Sequence, residues 1–484
     1  MKRIFSHPLS ALGAGLCLRL FFVLKFPATS GDTALYEEIA TNWLKHGSYA
    51  MKVAGQITPV DLRMPGYPAF LALIYALTGR TGADARVWVM LSQVAVDLLS
   101  CVVIAWLAAL LATRFQNEAS DNRVFTAALW LAATCPFTAN YTAVPLTEVF
   151  AVLFTAGAFY YLVLQLRRIE RPDFRLHGSH INKGKSAEFT GLKAGLLAGA
   201  GTLFRPETPL LLIAAAPVLG WLILRRKEGV RWFQMIFVMG IACLLPLVPW
   251  GVRNIFVLDD PQFLAPKNSN LPGELIPYGF MAWEKTWLFR VRDCYLVPWK
   301  LNEEPINVDD IPARAFDSAE EKERVAAILE PYNEDLTLTS DEDAAFGRLA
   351  RERTARHPLR TYLLLPIARA FAMWFTPRIE LLPFSGTVFP LVQSWEDDRV
   401  DQTVTIGFFL LNILYAGLAV WGAVRLWRRN FTARPALALM LVYILLRTVF
   451  LTTLETPEPR YVLVCFPMIL ALAAQFFAQS SKPV

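Results

Sequence analysis

Apolar residues in this chain fall in repeated, nearly unbroken runs instead of on a single helical stripe. Ten runs, at 8–27, 86–113, 124–142, 146–166, 188–204, 208–225, 232–252, 403–426, 435–453 and 461–479, predict spanning helices, because about 20 apolar residues cross a bilayer as a helix. An eleventh run, PGYPAFLALIYALT at 65–78, has 14 residues. It is short for a span and suits an interfacial or re-entrant helix. Just before it, SGDTALYEEIATNWLKHGSYA carries Leu35, Ile39 and Trp43 at four-residue spacing. That period predicts a short amphipathic helix opening near Asp32. The chain therefore reads as an all-α polytopic membrane protein of about ten transmembrane helices, with juxtamembrane helices in a first outer loop at 28–85.

The pattern changes between 257 and 402. There the chain is polar and acidic, with 20 Asp and Glu against 13 Lys and Arg over residues 257–360. So long a segment is expected to pack as a small α-rich extracytoplasmic unit. Within it, PLRTYLLLPIARAFAMWFT at 358–376 is apolar but holds Arg360 and Arg369. It reads as an amphipathic interfacial helix, with a spanning helix as the alternative. The expected organisation is thus an N-terminal membrane part at 1–256, the segment 257–402, and C-terminal membrane helices at 403–484.

Composition agrees, with 55% hydrophobic and 18% charged residues among 484. The formal charge of +6 lies mostly in short loops, as the positive-inside rule expects. It is no sign of nucleic-acid binding. If 65–78 does not cross, the basic loops around Arg114 and Arg123, Arg167–Lys185, Arg225–Arg231 and Arg425–Arg434 all fall on the inner side with both termini. The start MKR and the run to Phe26 lack a small-residue cleavage site, and Arg19 interrupts them. They read as a retained first helix. Five of the six cysteines sit in apolar runs and form no disulfide framework. There is no P-loop, GxGxxG or HExxH. His177 and His180, in a basic loop, read as solvated side chains, so no metal or cofactor is expected.

This topology gathers Asp32, Arg63, Glu148, Arg205, Glu207, Arg253 and the run Glu455–Arg460 on the outer side. Asp32 reads as a helix N-cap or as a carboxylate held at the lipid–water boundary as a general base. The two roles are compatible. Arg63, two residues before Pro65, suits a phosphate or interfacial snorkelling. VPWGVRN at 248–254 ends a span in an aromatic anchor followed by Arg253. LFRPET at 203–208 makes a charged turn, and ETPEPRY at 455–461 presents Glu458 and Arg460 from a proline-stiffened stretch. Inside the membrane, Arg19 and Asp97 stand at matching depths in the first two spans. They are expected to pair, because an isolated central charge costs roughly 2.5–3.5 kcal/mol.

The ordered set GD-x3-Y, R-x-PGYP-x-FLA, an outer Glu at a span start, RPE, PW-x2-RN and PEPRY resembles the bacterial GT-C glycosyltransferases. The nearest are the family-39-type enzymes related to protein mannosyltransferases and to the aminoarabinose transferase of lipid A. The resemblance implies an inverting transferase of the cell envelope, multi-pass in the inner membrane with its active site on the extracytoplasmic face. It would move a hexosyl or pentosyl group from a polyprenyl-phosphate carrier to a hydroxyl of a glycan, lipid or protein. It carries the base onto Asp32, the donor phosphate onto Arg63, with Arg205, Arg253 and Arg460, and leaves Glu148, Tyr67 and Glu458 for sugar or acceptor. Asp32 is followed by Thr33 and not by a second acid, which removes support for a metal. The alternative is a transporter or lipid flippase, which would place polar groups at the midplane and often shows inverted repeats.

Overall fold

A computed structural model describes residues 7–113, 118–170, 185–225, 229–268, 270–271, 273–389 and 391–478. His177 and His180 lie outside the described residues. The chain divides into two compact units. The first comprises Met1–Lys267, Ile379–Ile444 and Leu463–Val484, and the second Asn268–Arg378 and Leu445–Val462.

The first unit starts with α1 (Pro8–Lys25), α2 (Gly31–His46), a hairpin of β1 (Ala50–Val53) and β2 (Gln56–Pro59), and α3 (Gly66–Thr78). It continues through α4 (Arg86–Ala112), α5 (Glu118–Ala133), α6 (Glu148–Glu170), α7 (Lys185–Thr202), α8 (Leu210–Arg225), α9 (Gly229–Leu244) and α10 (Val248–Leu258). Among the described residues, seven helical stretches are long and apolar enough to cross a membrane, and the protein is a multi-pass membrane protein. Among the described residues these are fewer than the ten runs read from the sequence. The run 124–142 ends as a helix at Ala133, and the chain then turns through short helices at Pro136–Ala139 and Asn140–Ala143. Leu210–Leu222 and α3 are apolar but shorter. With 13 residues, α3 is about 20 Å long against a hydrocarbon core of about 30 Å.

Helices α7 and α9 pack backbone to backbone. A Cβ on Gly195 would lie 2.2 Å from the Met239 carbonyl oxygen, and one on Gly199 2.2 Å from that of Cys243. This four-residue spacing of small residues is how membrane helices approach closely. The outer-loop helix α2 is clamped to the start of α4 by a two-pronged pair. Arg86 Nε and Nη2 donate to the two Glu37 oxygens at 2.7 and 2.8 Å. The hairpin was not anticipated from the sequence. It turns on Ala54 and Gly55, both at positive φ (47° and 85°), the two-residue turn that suits a hairpin.

In the middle of the bundle Arg19 Nε donates to Asp97 Oδ2 at 2.7 Å, with the two side chains 0% and 2% exposed. The remaining guanidinium donors reach the carbonyls of Gly15 (2.9 Å) and Ala133 (2.7 Å) and the Cys101 sulfur (3.2 Å). One guanidinium thus ties α1, α4 and α5 together.

The second unit is helical too, with α11 (Tyr278–Glu284), α12 (Ala319–Asp335), α13 (Ser340–Arg356) and α14 (Leu365–Phe375). Its core holds Phe280, Trp283, Trp287, Tyr332 and Phe346. Asp343 Oδ2 and Oδ1 accept the Gly279 and Phe280 N–H groups at 3.0 and 2.9 Å, capping α11 from α13. Thr339 and Glu342 make the reciprocal capping box of α13. The stretch 358–376 is amphipathic as expected. Tyr362, Leu364 and Phe371 are exposed, while the buried Arg369 donates to the carbonyls of Leu288 (2.9 Å), Lys285 (2.7 Å) and Thr452 (3.3 Å). Arg447 is buried and donates to the Tyr461 carbonyl at 2.9 Å. The chain is completed by α15 (Arg399–Arg429), α16 (Arg434–Thr452) and α17 (Phe466–Ala473).

Arg19→Ala is expected to strand Asp97 and to cost about 3–5 kcal/mol, whereas replacing both residues by leucine recovers most of the loss. Thermal unfolding of the purified protein in detergent checks this. A single variant as stable as the parent would show that the pair does not hold the bundle.

Candidate active site

The site of the first unit is built on the loop between α1 and α3. Ser30, not Asp32, precedes the first turn of α2: Thr33 Oγ1 accepts the Ser30 N–H at 3.0 Å, and the Ser30 carbonyl takes the Thr33 N–H at 2.9 Å. The Thr33 hydroxyl also donates to the Pro145 carbonyl at 3.2 Å. Capping by its neighbours leaves the Asp32 carboxylate available, and Arg63 Nη2 donates to its Oδ1 at 2.7 Å. Both partners keep access to solvent, with 27% of the Asp32 side chain and 18% of Arg63 exposed.

A second ion pair stands on the other elements of the same unit. Arg205 Nη2 donates to Glu148 Oε1 at the start of α6, its Nε donates to Thr147 Oγ1 at 3.0 Å, and Nη1 lies 3.7 Å from Glu207 Oε1. Tyr36 joins the two pairs. It lies one helical turn after Asp32 on α2, and its ring packs edge-on against Tyr67 at 5.0 Å between centroids. Burial and the neighbouring Asp32 carboxylate push its phenol up to about 12, while Arg63 and Arg205 pull it the other way. The Tyr36 hydroxyl makes no hydrogen bond to another described residue. Sequence reading did not select Tyr36 as a site residue, although GD-x3-Y contains it. The signal is its four-residue spacing from Asp32, which sets both on one helix face.

The loops are joined by a backbone contact. The Gly66 N–H donates to the Leu203 carbonyl at 2.7 Å. A Cβ at Gly66 would lie 2.6 Å from that oxygen and 2.8 Å from its carbon. Only glycine lets the PGYP turn, just after Arg63, lie against the LFRPE turn that carries Arg205.

Other sequence candidates fall elsewhere. Tyr67 is fully buried, and its hydroxyl donates to Gln93 Oε1 at 2.7 Å. It supports Tyr36 from below and presents no free hydroxyl to a sugar. Arg253 does not join Arg63 and Arg205 either. Its Nη1 and Nη2 donate to the Val60 and Tyr49 carbonyls at 2.9 and 2.8 Å. Glu458 and Arg460 belong to the second unit, where Arg460 Nε lies 2.7 Å from Glu458 Oε2 and the Tyr461 hydroxyl donates to Glu458 Oε1 at 2.5 Å. Among the described residues, no three acidic, histidine or cysteine side chains come together to hold a metal.

The second unit also buries Glu284, 2% exposed, with Oε1 lacking any hydrogen-bond partner. Lys285 Nζ pairs with Glu455 Oε1 at 2.7 Å instead, and Arg369 is committed to backbone carbonyls. Burial, then the nearby Glu455 charge, hold the Glu284 carboxyl well above the usual range.

Neither the protein-family models nor the curated proteins contain a match to this chain. Solved structures do match. The oligosaccharyltransferase of Archaeoglobus fulgidus tethered to an acceptor peptide containing the NVT sequon aligns over 96% of this chain and 49% of its own, at 12% identity and a TM-score of 0.51. ArnT from Cupriavidus metallidurans bound to undecaprenyl phosphate aligns over 97% of this chain and 77% of its own, at 13% identity and a TM-score of 0.38. The chain spans about half the length of the oligosaccharyltransferase. In fold, the chain is similar to the aligned half of that oligosaccharyltransferase.

Two predictions arise from these contacts. Gly66→Ala forces the PGYP and LFRPE turns apart and is expected to cost about 1–3 kcal/mol while weakening any ligand held by both turns. Unchanged melting and unchanged ligand affinity would refute it. At Glu284 the folded carboxyl binds its proton more tightly than the unfolded one. Stability is therefore fullest at low pH and is lost as pH rises above the ordinary glutamate value. Glu284→Gln should leave the melting temperature near that of the parent at pH 5 and raise it at pH 8. A gain independent of pH would show that Glu284 is not protonated in the fold.

Proposed function

We propose that the chain is an inverting glycosyltransferase that takes a sugar from a polyprenyl-phosphate carrier and passes it to an acceptor hydroxyl at the extracytoplasmic face of the inner membrane, with both termini in the cytoplasm. The observation that carries this reading is the partly exposed Asp32–Arg63 pair, 2.7 Å apart, with Tyr36 interacting with it and with Arg205–Glu148. The shared fold supports it.

The chemistry follows from the geometry. In the absence of donor, Arg63 neutralises Asp32. A donor phosphate offers Arg63 a stronger, bidentate partner, and Arg63 moves its charge to the phosphate. Asp32 then lacks its counter-ion and becomes basic enough to take the proton of an acceptor hydroxyl. That oxygen attacks the anomeric carbon, the bond to the carrier phosphate breaks, and the phosphate leaves with the electron pair. Arg63 and Arg205 stabilise the charge that develops on it. Glu148 holds Arg205 in place and, with Tyr36, lies where sugar hydroxyls can be recognised. Inversion follows from a single displacement. Activation is already stored in the lipid-linked donor, so no nucleotide is needed. The acceptor is a glycan, a lipid or a protein.

The test uses purified protein, radiolabelled polyprenyl-phosphate sugars and membrane extract as the source of acceptor, with and without a chelator. Asp32→Asn should lower transfer at least about 100-fold, and Arg63→Ala should weaken donor binding, with the chelator lacking effect. Transfer undiminished in Asp32→Asn, or absence of transfer with every donor, overturns the reading.

A further inference from the structure

The motif VPWGVRN places Arg253 on α10, and both terminal nitrogens of its guanidinium are engaged. Nη1 donates to the Val60 carbonyl and to Asn254 Oδ1, both at 2.9 Å, and Nη2 donates to the Tyr49 carbonyl at 2.8 Å. The guanidinium carbon stands 5.4 Å from the Tyr49 ring centre and 5.2 Å from that of Trp250. Tyr49 and Val60 are the residues that flank the β1–β2 hairpin, closed by the Val60 N–H to the Tyr49 carbonyl at 3.2 Å. One arginine therefore grips both stems of the hairpin. A phosphate seated on the two terminal nitrogens would have to displace two carbonyls and leave them without donors, at a cost that a single new contact does not offset.

The grip continues toward the site. The Tyr49 ring is 4% exposed, held between Trp43 at 5.3 Å and Trp250 at 4.9 Å. Its hydroxyl donates to the Arg63 carbonyl at 2.7 Å, with the Met64 carbonyl at 3.4 Å. Met64 Sδ accepts the Ala265 N–H at 3.1 Å from the segment after α10, and Gly66 is fixed to Leu203. Segment 63–66 is thereby held at three points: on its backbone by Tyr49 and Leu203, and through the Met64 side chain by the segment after α10.

We propose that Arg253 and Tyr49 are positioning residues for the reaction. Arg253 fixes Tyr49, Tyr49 fixes the Arg63 backbone, and the Arg63 guanidinium is held where it can leave Asp32 for the donor phosphate. The inference rests on the reading that Arg63 meets that phosphate. A guanidinium is suited to this strut, because its planar fork reaches two carbonyls at once while stacking on rings, and a lysine ammonium cannot do both.

The experiment uses the full chain in lipid nanodiscs with undecaprenyl phosphate as the probe. Affinity, transfer kinetics and hydrogen exchange of the peptides covering 48–66 are measured. Tyr49→Phe removes the hydroxyl and keeps the ring. It should weaken undecaprenyl phosphate binding about five-fold, the loss of one hydrogen bond, with an unchanged melting temperature. Arg253→Met should weaken binding further and speed exchange across 48–66, with Arg253→Lys intermediate. In an Arg63→Ala background, Tyr49→Phe should cost no additional affinity, because the two act through one group. An additive loss assigns Tyr49 a general structural role and overturns the proposal. So does full affinity in Tyr49→Phe while Arg63→Ala loses it, or parent-like exchange in Arg253→Met. Parent-like affinity in Arg63→Ala overturns the phosphate reading, and the positioning role with it. The exchange measurement alone still reports whether Arg253 clamps the hairpin.

Discussion

The candidate site depends on a backbone contact at Gly66. Its N–H meets the Leu203 carbonyl at 2.7 Å, and no side chain fits between them. Two segments about 140 residues apart in sequence thereby become one surface, with Arg63 on one side and Arg205 on the other. The contact also meets the requirement that buried backbone groups be paired. Pro65 precedes the glycine and has no N–H to satisfy. The PGYP turn is therefore matched to its neighbour group by group: a missing donor, then one donor at the closest approach, then the apolar face of α3.

The rest of the first unit distributes arginines over carbonyl oxygens. Arg253 grips the hairpin, and Arg19 takes two carbonyls as well as Asp97. Arg167 and Arg425 do the same for the carbonyls at the ends of helices, at Leu111 and at Phe476. A guanidinium carries five donors in a fixed plane, so it can complete several unfinished backbone groups where water is excluded. Glu284 marks the opposite case. A buried carboxylate can only accept, and where the adjacent arginine is already engaged with carbonyls, burial holds the acid well above the usual carboxylate range.

Much of this was legible beforehand. The apolar runs showed the spans, the four-residue spacing of Leu35, Ile39 and Trp43 showed α2, and the 14-residue run before Thr78 showed a helix too short to be an ordinary span. The match in depth between Arg19 and Asp97 was visible because an isolated charge in hydrocarbon demands a partner. The hairpin was missed because its strands are four residues each, with no alternation long enough to register. Arg253 misled for a different reason. Sequence shows that an arginine ends a span, but not whether its donors face a ligand or a carbonyl. That depends on Tyr49 and Val60, some 200 residues earlier. Tyr36 was visible only as a letter in a motif, since its importance lies in being surrounded by Asp32, Arg63, Arg205 and Glu148.

Two acid–arginine pairs of the first unit, Arg19–Asp97 and Arg63–Asp32, show how burial assigns different work to the same chemistry. Arg19–Asp97 is sealed, and three further acceptors surround its guanidinium. Separating it would leave a bare charge in a low-dielectric interior, so the pair is permanent. Arg63–Asp32 has the same donor–acceptor separation, 2.7 Å, but lies where water reaches both partners. Solvent partly compensates each ion when the pair opens, so the pair costs less to break than the sealed one. A pair of that kind can exchange one anion for another. Under the proposed function, the base and the phosphate ligand are stored against each other in the resting protein and released together when the phosphate arrives.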